Sequence, residues 1–510
     1  MMLSSRSVAF ALLSSLTGAA AVGDLVKELP GWKGPTFSAT YSGYISAGHE
    51  DGHTMIEHYM FFESEGNPQT DPVLLWTNGG PGAASLFGAF TELGPYYLSD
   101  ASMQTEDFRA TGVPSLFENP FRWTTLGSLL VINSPPPVGF SYCEPAGPSG
   151  SGTSCGSWND TKTARHNLEF LKNWRSAFPE FSTQDLYLIG ESYAGIYVPT
   201  LARAILEDGP SGLAEQLKGF AVGDGCLGGD NDSGACVPWG GKRFTVDFFY
   251  GHGQFSTKTY QAIQENCPAD ELLNGPIKTP GCKAALAKMD QERGYSFDYN
   301  LYDECYDFDL GNARRSALGA PQQVASKSSY EAHHIDGAPC GGGKVLAVWV
   351  NHSAVRRGLH VAENSFFFAA DNGIGFVYNT TEPSLVPFYK HVAENTKLRV
   401  LIYNGDADPS LNTFLGQYWT SSVGLLERES WRPWTLDGER HMGGFVTRYE
   451  GDFDFLTIRG AGHMVPQFKP AAALAFLKTW LANESFPALG PQYQTKVEKA
   501  ASPAAEELIV

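Results

Sequence analysis

Basic charge is scarce in this 510-residue chain: 36 Lys and Arg stand against 55 Asp and Glu, a formal net charge of −19. So acidic a chain does not suit nucleic acid or an anionic membrane as a partner. It does suit work at low pH, where much of that charge is titrated away. Long apolar runs are missing beyond the N-terminal segment, so no later segment is expected to span a bilayer. Internal repeats and long low-complexity runs are missing too. The Gly-rich stretches "GCKAAL", "APCGGGK" and "CLGGDNDSG" lack the complete phosphate-loop pattern, which argues against nucleotide binding. "GHEDGHTMIEH" gathers His49, His53 and His58, but without the spacing of a helical zinc motif. Its Gly-rich flanks read as a solvated hairpin turn, and the expectation is no metal and no other cofactor.

The N-terminal "MMLSSRSVAFALLSSLTGAAAVG" carries one Arg, an apolar run and small residues suited to cleavage near Ala21. Residues 1–21 are expected to be a secretory signal. The C-terminal "EELIV" carries no retention signal and no lipid-anchor tail. Eight cysteines follow, Cys143, Cys155, Cys226, Cys236, Cys267, Cys282, Cys305 and Cys340. In an exported protein that even count implies four disulfides, whose connectivity sequence alone leaves open. N-x-[ST] sequons stand at Asn159, Asn231, Asn351, Asn379 and Asn483. Chance supplies single sequons, but together with a signal and paired cysteines they imply a glycosylated exported protein. Secretion and delivery to a vacuole or lysosome are both open, and the sequence carries no mark of oligomeric state.

Short apolar runs end abruptly in turn residues: "PVLLWTNGGPG", "GSLLVINSPPP", "DLYLIGES", "LKGFAVGDG", "LRVLIYNGDADP" and "DFLTIRGAGH". Such runs fit strands buried on both faces, as in parallel sheets. Between them lie helical patterns: in "NLEFLKNWRSAF", Leu168, Leu171, Trp174 and Phe178 fall on one face. Alternating strands and helices imply an α/β sheet, mostly parallel and flanked by helices. Residues 22–226 and 344–490 are read as two parts of one core, 227–343 as an inserted cap, and 491–510 as a disordered tail. Asn78, Ser192, Asp408 and His463 each directly follow a strand run, at the sheet edge where sites form.

In "LIGESYAGIYVP" a strand runs into a sharp turn carrying Ser192 and then a helix. A serine hydroxyl needs a neighbouring base, and a strained strand-to-helix turn with small flanking residues presents it. Taken alone, Ser192 reads equally well as a helix N-cap. The partners shift the balance. "YNGDADP" supplies Asp406 and Asp408 after one late strand, and "GAGHMVP" supplies His463 after the next. That is the chain order nucleophile, acid, base.

The motifs "WTNGGPGAAS", "GESYAGIYVP", "YNGDADPSLNTFLG" and "GAGHMVP" resemble those of the serine carboxypeptidases, in the same order and over nearly the whole chain. The resemblance implies an α/β-hydrolase fold and a serine-type carboxypeptidase acting on peptide or protein C-termini. It implies Ser192 as nucleophile, His463 as general base and acid, and Asp408 as its orienting partner, with Asp406 structural. The backbone N–H groups of Gly80 and Tyr193 would form the oxyanion hole, each donor contributing ~3–4 kcal/mol. Asn78, the Gly79 N–H, Glu92 and Glu191 would bind the substrate carboxylate. Acids can hold an acid only while a proton is shared among them, because crowded like charges raise one pKa. By the same resemblance Phe87, Thr91 and Met464 would line the leaving-residue pocket. Cys267 would pair with Cys282 and Cys305 with Cys340, leaving Cys143–Cys155 and Cys226–Cys236 as local pairs.

Departures stand out against this pattern. Ala83 replaces the cysteine after Gly-Gly-Pro-Gly, and Asp371 and Asn372 stand near where its partner would be. Pro137 replaces a turn glycine in "PPPVGFSY". The lost staple is expected to loosen the substrate loop. Two other functions stay open at this point: a same-fold acyltransferase or esterase, and a non-catalytic glycoprotein that keeps the fold for binding. The intact triad argues against the second.

Overall fold

The computed structural model describes residues 23–209, 212–229, 236–303, 342–369, 376–491 and 493. The signal segment, Asn231, Cys305, Cys340, Asp371, Asn372 and nearly all of the 491–510 tail lie outside the described residues.

Eleven strands form one sheet: β1 (Thr40–Glu50), β2 (His53–Phe62), β3 (Val73–Thr77), β4 (Ser128–Ile132), β5 (Tyr142–Glu144), β6 (Leu186–Glu191), β7 (Leu217–Gly223), β8 (Arg399–Gly405), β9 (Glu427–Thr435), β10 (Met442–Tyr449) and β11 (Phe453–Ile458). Their order is β1-β2-β4-β3-β6-β7-β8-β11-β10-β9, with β5 against β2. From β4 through β11 every pairing is parallel. Antiparallel strands flank this centre on both sides.

The apolar runs explain the centre. β3, β4, β6 and β11 are buried at every residue. Successive side chains point to opposite faces. Accordingly Val73, Leu75, Leu186 and Leu188 join the core on one face, and Leu74, Trp76, Tyr187 and Ile189 join the core on the other. The first face is covered by the helices Asp160–Ala177 and Ala194–Glu207, the second by Gly343–Asn351 and Pro470–Leu481. The helix Asp160–Ala177 starts where the Asn159 side chain accepts the Lys162 N–H, and it buries Leu168, Leu171 and Trp174. The hairpin expected around "GHEDGH" joins β1 to β2.

Between β7 and β8 the chain leaves the sheet. Its described part up to residue 303 holds four helices, Arg243–Gly251, Thr257–Asn266, Ala269–Asn274 and Pro280–Arg293, around a small core of their own that includes Phe248, Ile263 and Met289. Three disulfides are present, Cys143–Cys155, Cys226–Cys236 and Cys267–Cys282, as the resemblance implied. At Ala83 the missing staple has a substitute. The Ala84 N–H donates to Ala369 O at 2.9 Å, and Ala84 packs with Val138 and Phe368.

Trp174 stacks on Phe178 at 5.1 Å and meets Phe61 edge-on at 5.1 Å. Trp174→Ala is expected to cost about 3–5 kcal/mol, read as a lower urea midpoint at unchanged m-value. An unchanged midpoint would show that this aromatic cluster does not hold the helix to the sheet.

Candidate active site

Ser192 leaves β6 with φ +64°, a left-handed conformation that costs a non-glycine residue about 1–3 kcal/mol. Backbone hydrogen bonds hold it there. The Ser192 N–H donates to Gly223 O, and Ser192 O accepts the N–H groups of Gly195 and Cys226, all at 2.9 Å. The turn is packed so tightly that side chains are excluded around it. A Cβ on Gly190 would lie 2.6 Å from Thr77 O, and one on Gly195 2.3 Å from Cys226 O. The helix Ala194–Glu207 then starts after Tyr193.

Two strands further along, β8 and β11 deliver the other pair. Buried His463 contacts Asp408 Oδ2 through Nδ1 at 2.7 Å. An ionised carboxylate only accepts, so Nδ1 carries the proton and Nε2 is left basic. Among the described residues Nε2 has no hydrogen-bond partner. Asp408 also accepts the N–H groups of Ser410 at 2.8 Å and Leu411 at 3.3 Å. Asp406 lies apart, accepting the Gly460 N–H at 2.6 Å and tying the two loops together. The inserted segment closes over both. Tyr299 O accepts the His463 N–H at 2.7 Å and Ala407 O accepts the Leu301 N–H at 2.8 Å. The Tyr299 ring lies 4.8 Å from the His463 ring.

Asn78 follows β3. Its Oδ1 accepts the Trp76 indole N–H at 2.9 Å and the Gly88 N–H at 3.1 Å, which fixes the amide orientation. Its Nδ2 therefore donates to Glu191 Oε1 at 2.9 Å and Glu92 Oε1 at 3.2 Å. Both glutamates are fully buried and hydrogen-bond each other. Burial pushes the Glu92 carboxyl up to about 7. Burial, reinforced by the Glu92 charge, pushes Glu191 well above the usual carboxylate range. The opposite side of the nucleophile is framed by Gly79, Gly80 (φ +111°) and the Tyr193 backbone. The Tyr193 ring is anchored by its hydroxyl, which donates to Asp160 at 2.7 Å; Asp160 also accepts the Tyr378 hydroxyl and the Glu382 N–H.

The sequence reading missed Asp224. It lies buried at the end of β7, accepting the Gly405 N–H and Asn404 Nδ2. The signal was present in "LKGFAVGDG", where a polar residue follows a buried strand as at the other four positions. The three hairpin histidines do not converge. His58 turns inward to Ser42 and Asn133, while His49 meets Thr54. Of the sequons, Asn351, Asn379 and Asn483 are exposed, and Asn159 is partly buried as a helix cap.

Parallel strands wound with helices on both faces, and a nucleophile turn on the carboxyl edge, make this an α/β-hydrolase fold and the protein a serine hydrolase. Within that class the chain belongs to the serine carboxypeptidase family, whose sequence model matches residues 30–483. Serine carboxypeptidase 1 of Hordeum vulgare is 31% identical, the match covering 91% of this chain and 94% of that protein. The lysosomal protective protein of Mus musculus is 33% identical over 91% and 94% of the two chains. Among solved structures, the prohormone-processing carboxypeptidase Kex1 of Saccharomyces cerevisiae superposes with a TM-score of 0.63 at 20% identity, covering 91% and 96%. The last match speaks for the fold. The chain is thus a serine-type carboxypeptidase, a hydrolase of the exopeptidase kind.

A Cβ on Gly79 would lie 2.3 Å from the Tyr193 N and 2.9 Å from Ser192 Cβ. Gly79→Ala is therefore expected to displace the loop from the nucleophile turn and lower kcat about 10²–10³-fold, the loss of one preorganised donor. Thermal melting of the same sample checks the fold. A folded variant at wild-type kcat would remove Gly79 and Gly80 from the site.

Proposed function

We propose that the protein releases single amino acids from peptide C-termini through an acyl-enzyme, and does so best under acidic conditions. Ser192 Oγ attacks the last peptide carbonyl while His463 Nε2 takes its proton. Asp408 holds the imidazole in the tautomer that leaves Nε2 basic. The negative oxygen of the tetrahedral intermediate is met by the Gly80 and Tyr193 N–H groups. His463 then passes the proton to the departing amine, and the free amino acid leaves. Water enters, His463 removes its proton, and a second tetrahedral intermediate collapses to free the shortened peptide and Ser192.

The observation that carries the exopeptidase reading is the buried Glu92–Glu191 pair bridged by Asn78, with Glu191 adjacent to the nucleophile in sequence. Such a pair holds a proton into the neutral range and offers it, with Asn78 Nδ2 and the Gly79 N–H, to a substrate carboxylate. An endopeptidase site has no use for it. Phe87, Thr91 and Met464 are assigned to the pocket for the leaving side chain. The 227–343 interval acts as an inserted cap, and the protein follows the secretory route with glycans on its exposed sequons. The murine relative is lysosomal by name, in keeping with that route.

Ser192→Ala is expected to lose about four to six orders of magnitude in kcat and all labelling by an organophosphate. Labelling that persists in the variant would place the nucleophile elsewhere.

The carboxylate reading has its own test. As pH rises through about 7 the Glu92 carboxyl ionises, and negative charges then converge on the substrate. KM for a blocked dipeptide is expected to rise about tenfold per pH unit above that point. A blocked dipeptide amide, which has no carboxylate, escapes the penalty. Glu92→Gln, which removes the group that ionises there and keeps a neutral donor at every pH, flattens the rise for the peptide and leaves the amide unchanged, with Glu191→Gln as a parallel test. Identical wild-type profiles for the two substrates would show that the pair does not read the carboxylate.

A further inference from the structure

Asp224 is a buried acid that the reaction above does not use. β7 lies between β6 and β8, so Asp224 stands between the nucleophile turn and the Asp408 loop. Its backbone is left-handed, with φ +41°, and its N–H donates to Tyr403 O at 2.8 Å. The carboxyl accepts Asn404 Nδ2 at 3.1 Å and the Gly405 N–H at 3.1 Å to each oxygen. Asn404 also donates to Leu411 O at 2.8 Å, so Asp224 grips the loop at both of its ends. The Asp224 side chain further hydrogen-bonds that of Asp408.

Two carboxylates cannot bond each other, because each only accepts. One proton must lie between Asp224 and Asp408. Both carboxyls accept N–H donors, but Asp408 alone of the two also meets His463. Asp224 is left with the proton. Its burial, followed by the Asp408 charge, acts in the same direction, raising its carboxyl well above the usual range. The geometry points to Asp224 as a positioning residue: its protonated carboxyl donates to Asp408, holds that carboxylate toward His463 and draws part of its charge away. This rests on the assignment of Asp408 as the partner of His463. The titratable groups facing Asp224 are Asp408 after β8, His463 beyond it after β11, Glu191 at the end of β6 and Tyr403 on β8. With the proton in place His463 meets one full negative charge rather than two.

The test follows hydrolysis of the blocked dipeptide amide, so that the Glu92–Glu191 pair does not enter. kcat, KM and the acidic limb of kcat/KM are measured for wild type, Asp224→Ala and Asp224→Asn, with thermal melts for each. Asp224→Ala removes the donor. Its kcat should fall about ten- to hundred-fold at similar KM, with the acidic limb moved to higher pH. Asp224→Asn supplies a neutral N–H donor and should rescue most of the loss, with the limb returned to its wild-type position. A merely structural role would lower activity without moving the limb. An Asn variant whose limb moves to lower pH would show that wild-type Asp224 is ionised, and would overturn the inference even if the Ala variant fails to fold. A folded Ala variant with wild-type kcat and limb overturns it as well. Amide hydrolysis that survives Ser192→Ala would instead mark a failure of the triad itself, a separate outcome.

Discussion

A serine held in a left-handed backbone conformation is the constraint on which the rest of the site depends. At φ +64° Ser192 stores strain that persists only where its surroundings over-determine it. Three backbone hydrogen bonds do so, one from β7 and two from the helix and loop that follow. They in turn require close backbone approach, and this is why Gly79, Gly190 and Gly195 carry no side chain. The same contacts lock the parallel register of β6 between β3 and β7. The nucleophile, the glycine loop and Asp224 are therefore set by one arrangement of three strand ends, and a shift in any of them would move the others.

The second organising feature is the concentration of buried acid at this sheet edge. Glu92, Glu191, Asp224 and Asp408 all lie within the protein, where an unpaired charge is costly. Only Asp408 has a histidine to balance it. The others are relieved by protons, and Glu57 is a fourth such case: burial raises it to about 8, and Ser134 Oγ donates to it at 3.1 Å. For such carboxyls the folded state binds protons more tightly than the unfolded one. Stability from these groups is full at low pH and declines as pH rises, for Glu92 from its ordinary 4.5 through about 7. A fold favoured by acid follows from these buried carboxyls, and the proposed acid-dependent grip on substrate would follow from the same groups.

Sequence patterning carried the centre of this structure. Runs such as "VLLWT" and "LYLIGE" are buried on both faces, which is what a parallel strand between helix layers demands, and the residues ending those runs form the site. Ser192, Asp408 and His463 were legible for that reason. The flanks were less legible. β9 and β10 alternate irregularly: "ERESWRPWT" keeps most of its residues exposed or partly exposed, so it lacks the apolar signature of a strand. The helices between β7 and residue 303 were hidden by their mostly short length among Gly and Cys. Asp224 was passed over because a lone acid after a strand reads as a turn residue. Its role depends on Asp408, 184 positions away, brought alongside only by the β7–β8 pairing.

The stretch of chain that follows β7 also reaches the loops that carry Asp408 and His463. It leaves the sheet after β7, so it begins beside Asp224. Its segment Phe297–Leu301 crosses back over both catalytic loops. It accepts the His463 N–H through Tyr299 O, donates the Leu301 N–H to Ala407 O, and receives the Ser410 hydroxyl on Asp298 O at 2.6 Å. Glycine at 462 admits it, since a Cβ there would lie 2.3 Å from Tyr299 O. The sheet fixes where each strand end points, the Asp406–Gly460 bond ties the two loops beyond those ends, and the Phe297–Leu301 segment adds partners from above. The separation of Asp408 and His463 is thus set jointly by the β8–β11 pairing beneath and by the chain above.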